Sequence, residues 1–106
     1  MKQLICLICL ICLTLINSNC YADKQQYCLE LSQFSKSIIH FRNNGDSRLD
    51  IFNKVASQII KLPGETEFER FFSVLSVYET YDTPKEIHSD VVATMSFDAC
   101  MEVLKY

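Results

Sequence analysis

Tryptophan is absent from this chain, and glycine, proline and histidine occur only twice each. Two glycines cannot build a phosphate-cradling loop or a dinucleotide-binding G-x-G-x-x-G turn, and G-x-S-x-G is absent too. The histidines, His40 and His88, form no H-E-x-x-H pair, and no paired C-x-x-C or EF-hand pattern occurs, so no metal or other cofactor is expected. Basic clusters are missing as well: Lys and Arg are spread singly from Lys24 to Lys105. Without such a cluster, nucleic acid and anionic membrane surfaces are poor partners.

What is present begins with a greasy segment. Leu4 to Ile16 are apolar except for Thr14, with Lys2 ahead of them. A run of about 13 residues suits a secretory signal and falls short of a membrane span. Cys20 and Ala22 are small enough for cleavage before Asp23, which makes 1-22 a signal peptide and 23-106 one helical domain. A retained anchor and lipidation at Cys20 are the alternatives, and Asn17 and Asn19 fit the lipidation pattern poorly. Cys6, Cys9 and Cys12 stand at metal-like spacing, but only leucine and isoleucine surround them, and a thiolate there is costly. They read as small hydrophobes of the signal.

Cleavage leaves two of the six cysteines, Cys28 and Cys100. An even count in an exported protein favours a disulfide, two unrelated thiols being the alternative. Closing a loop of about 73 residues would stabilise so small a domain by roughly 4 kcal/mol. Losing Lys2 from the ten Lys and Arg residues leaves nine against thirteen Asp and Glu, taking the formal charge from −3 to −4. The expected location is the periplasm or the secreted medium.

Four stretches of the mature chain have helical period. Asp23 with Gln26 opens the first, whose stripe is Tyr27, Cys28, Leu31, Phe34, Ile38 and Phe41, and Asn43-Asn44-Gly45 ends it. Ser47 with Asp50 opens the second, carrying Leu49, Phe52, Val55, Ala56, Ile59 and Ile60 as far as Pro63-Gly64. Thr66 with Glu69 opens the third; its core face is Phe68, Phe71, Phe72, Leu75 and Tyr78, with Ser73, Ser76 and Glu79 outward. Thr83-Pro84-Lys85-Glu86 opens the fourth, facing Ile87, Val91, Met95, Met101 and Leu104 inward, with a kink or a new helix at Ser96-Phe97-Asp98. The pattern predicts an all-α compact bundle of four to five short helices closed by one disulfide.

No residues assemble into a catalytic constellation. His88 and Asp90, two apart on a helix, would point away from each other. Glu65, Glu67 and Glu69 have a structural reason at a helix N-terminus, and Glu79 with Asp82 lacks a cleft in so short a chain. The candidate contact surfaces are Arg42 and Asn44 in the first turn, and Tyr78, Tyr81 and Asp82 at the end of the third helix.

These landmarks resemble a loose group of small exported bacterial two-cysteine helical proteins, most of them without an assigned activity. The shared features are an early cysteine on an amphipathic helix, an Arg-x-x-Gly or similar turn, a tyrosine late in a later helix, and a late cysteine. Here they are Cys28, Arg42-Asn43-Asn44-Gly45, Tyr78 or Tyr81 with Asp82-Thr83-Pro84, and Cys100. The resemblance implies export and a helical fold and carries no active site. The functional expectation is a non-enzymatic protein that binds another protein, of inhibitor or immunity type. An envelope-stress protein or chaperone and a small-molecule carrier are the alternatives, and the oligomeric state is left open.

Overall fold

The computed structural model describes the backbone of residues 2–104 and the side chains of residues 23–104. The expected cleavage site and Cys6, Cys9, Cys12 and Cys20 therefore lie outside the described side chains. Four helices follow in order: α1 (Lys2–Asn43), α2 (Arg48–Ala56), α3 (Glu67–Tyr81) and α4 (Ser89–Val103). They form a compact all-α globule closed by a Cys28–Cys100 disulfide between α1 and α4, with Cα atoms 5.6 Å apart. Among the described residues, no helix is long and apolar enough to cross a membrane.

α1 starts at Lys2 rather than at the Asp23–Gln26 pattern. Neither glycine nor proline stands between Ile16 and Asp23, so nothing stops the helical phase ahead of Asp23. The expected stripe of α1 is the core: Tyr27, Cys28, Leu31, Phe34 and Ile38 are buried and Phe41 packs against them. Gly45 ends the helix at φ +103°, with Gly45 N–H on Arg42 O and Asp46 N–H on Phe41 O. These two bonds are a Schellman closure, which requires a left-handed residue.

α2 and α3 both begin with the expected capping boxes, Ser47 with Asp50 and Thr66 with Glu69. α2 stops at Ala56, well before Pro63. Gln58 enters the left-handed region at φ 64°, and Ile59 N–H reaches back to Lys54 O, a second Schellman closure. The stripe expected on α2 is shifted as a result. Ile51 is fully buried and Ile60 nearly so, whereas Leu49 and Ile59 are exposed.

α4 starts five residues later than the Thr83-Pro84 pattern implied, at Ser89 with His88 as N-cap. Thr83 belongs instead to the end of α3: its N–H reaches Thr80 O and its hydroxyl Glu79 O. The helix then runs unbroken through Ser96-Phe97-Asp98. Its core contacts are Val92 and Cys100, with Phe97, Met101 and Leu104 packed alongside, while Val91 and Met95 face outward.

α1 is the common platform. The disulfide at one end and the Lys36–Asp90 ion pair at the other set α4 antiparallel to it. α3 runs in the same direction as α1 and is pinned twice. Near its start, Tyr27 Oη lies 2.7 Å from both Glu69 O and Ser73 Oγ; near its end, Arg42 bonds Tyr81 O.

Candidate functional site

The two pins decide which side of α3 faces in. Ser73 is fully buried, donating to Pro63 O at 3.0 Å and touching the Tyr27 hydroxyl. Two hydroxyl protons thus serve three short contacts, because Tyr27 also donates to Glu69 O. Burial raises the Tyr27 phenol above its ordinary range; the Ser73 hydroxyl opposes this and the Glu69 carboxylate reinforces it. Val77 and Thr80 share the inward face with Ser73.

The expected core face of α3 is therefore turned to solvent. Phe68 and Phe71 are 59% and 62% exposed, Leu75 and Tyr78 46% and 48%. Only Phe72 of that set packs against the core. At 100° per residue, Phe68, Phe71, Leu75 and Tyr78 fall within an arc of about 80°, a stripe along a helix of about 22 Å. The correction has a physical cause. A buried serine with two partners costs little, and those partners come from α1 and from the loop before α3, where no local pattern reveals them.

At the C-terminal end the stripe meets a polar cluster. Arg48 lies over Tyr78 and Tyr81, its Cζ 5.1 and 5.2 Å from their ring centroids, and pairs with Asp82. Tyr78 also tilts against Phe52 at 5.3 Å, and Tyr81 donates to Asp46 O at 2.9 Å. Four of the five nominated contact residues thus converge here, and Arg48 joins three of them. Sequence reasoning missed Arg48, although it directly follows the capping Ser47 and so had to lie beside the nominated turn.

Arg42 belongs to the cluster from beneath. It is only 7% exposed, and its guanidinium donates to Tyr81 O, Thr83 O and Asn43 Oδ1. Its place is structural, holding carbonyls at the end of α3. Asn44 is exposed and apart from the cluster, with Nδ2 3.3 Å from His40 Nε2.

The histidines and acids are distributed differently. His88 lies outside α4 as its cap, so His88 Nδ1 and Asp90 come together instead of diverging. Nδ1 accepts from Asp90 N–H at 3.1 Å. The Lys36 ammonium, by hydrogen bond and by charge, holds the Asp90 carboxyl below its ordinary value. Among the described residues, no three His, Cys, Asp or Glu side chains gather as a metal site. A groove of about 420 Å³ runs between α1 and the segment after α2, with Phe34, Phe41, Ile60 and Pro63 among its walls and Lys61 at its rim. No family model matches the chain, and no curated protein or solved structure is significantly similar to it.

Proposed function

We propose that this protein is an exported, non-enzymatic helical domain that binds another protein through the outward face of α3. The observation that carries this reading is the stripe Phe68, Phe71, Leu75 and Tyr78, which the fold leaves uncovered although apolar residues were available to bury. Contiguous apolar surface of this kind marks interaction sites on small domains. Tyr and Arg are the side chains most enriched where binding energy concentrates, and Arg48 stacked on Tyr78 and Tyr81 supplies both at one end of the stripe. The cluster is preorganised by the Asp82 ion pair, so little side-chain entropy remains to be lost on docking. The Cys28–Cys100 disulfide suits an oxidising compartment, in keeping with export to the periplasm or the medium. An inhibitor or immunity role is the form of binding that needs nothing beyond such a face.

Affinity purification from the exporting cell tests the proposal. A protein that co-purifies with the wild type and is lost with Phe71→Ser and Leu75→Ser supports it. Equal recovery with both variants contradicts it.

The groove along α1 favours a second reading, a carrier of a small apolar molecule. Native mass spectrometry of the exported protein checks this: a retained small molecule, displaced by Phe34→Trp, is the result that reading requires.

A further inference from the structure

The outward face of α3 is marked by charge as well as by apolar surface. By helical phase Glu79 and Glu67 border the stripe on opposite sides, each about 20° beyond its edge, and Glu65 precedes the helix; all three are exposed. None of them belongs to an ion pair among the described residues. The one basic residue on α3, Arg70, points elsewhere by phase and donates to Glu65 O at 2.8 Å. Arg48 is held by Asp82. The stripe, on the order of 400 Å² of exposed apolar side chain, therefore has an anionic border whose carboxylates pair with no cation among the described residues.

We propose that the partner element is a basic amphipathic helix, with an apolar stripe flanked by Lys or Arg. This rests on the protein-binding reading above and names the chemistry of the partner at the same site. Apolar anchors at i, i+3, i+7 and i+10 on α3 match the ridge of a second helix laid along it. Lysines or arginines on either side of that ridge then reach Glu67 and Glu79, and the arrangement steers encounter as well as fixing register. The same border excludes other occupants. An anionic lipid surface is repelled, and a second copy would set one acidic rim against another.

The test uses the exported wild-type protein and three synthetic helical peptides. Two share one Leu/Phe stripe, flanked by Lys in one and by Glu in the other; the third keeps the Lys content with the stripe scrambled. Fluorescence anisotropy should show the Lys-flanked peptide binding at least tenfold tighter than either of the others. That preference should shrink several-fold on raising NaCl from 50 to 500 mM, because surface charges are screened. Phe71→Ser should weaken binding at least tenfold at unchanged net charge, and Glu67→Lys/Glu79→Lys should shift preference to the Glu-flanked peptide. Both variants alter exposed residues, and thermal melts matching wild type confirm that they fold. Equal affinity for all three peptides overturns the proposal, as does dimerisation lost with Phe71→Ser, or binding to phosphatidylglycerol vesicles. A native partner lost with Phe71→Ser, from a protein that binds neither striped peptide, refutes the basic helix and leaves the protein-binding reading standing.

Discussion

Arg42 shows how one side chain can carry the end of a helix. The last carbonyls of α3 have no helical partner, and a buried carbonyl without one is costly. Arg42 brings donors from α1 to Tyr81 and Thr83, at a position where it is 7% exposed. Arg42→Ala should lower stability by about 2–4 kcal/mol in chemical denaturation. Arg42→Lys should recover only part of that, since an ammonium lacks the planar fork. Tyr27 gives a pH signature. Its phenol titrates higher in the fold than in the unfolded chain, so its contribution is complete below about pH 10 and is lost as pH rises through the folded value. Denaturation between about pH 9 and 11 should therefore show an alkaline loss of stability that is smaller in Tyr27→Phe, which starts from a lower baseline because its bond to Glu69 O is gone.

The starts of α2 and α3 and the stop of α1 were legible in the sequence, because one short segment contains both partners of each. Ser47 with Asp50 and Thr66 with Glu69 close their capping boxes within three residues, and Gly45 closes α1. The fourth start was misread because Thr83 is claimed by α3 and by Arg42, 41 residues away. The rotation of α3 was illegible for the same reason. Ser73 looked solvent-facing until Tyr27, 46 residues away, supplied its partner. Consequently Phe68, Phe71 and Leu75 were assigned to the core and Arg48 was not nominated at all. Gln58 marks a stop without its preferred residue, a glutamine in the left-handed position of a Schellman closure. Gln58→Gly should raise stability by about 0.5–1 kcal/mol, as the relief of left-handed strain exceeds the entropy glycine brings. Differential scanning calorimetry is sensitive enough to see it.

At the scale of the whole molecule, α1 organises everything else. The disulfide ties α4 to it across 72 residues, and reduction should destabilise the fold by about 4 kcal/mol in the loop-entropy model. Urea midpoints of the oxidised protein with and without reductant give that difference, and a Cys28→Ala/Cys100→Ala variant should match the reduced form. With α4 on one side of α1 and α3 on another, α3 keeps its aromatic stripe outward, and that outward face is the centre of the functional account. Its most direct test is a photo-crosslinking amino acid placed at Phe71 in the producing cell, with exposed Asn53 on α2 as the control position. The account predicts an adduct with one distinct protein at position 71 and none at 53. No adduct at 71, or the same adducts from both positions, would contradict it.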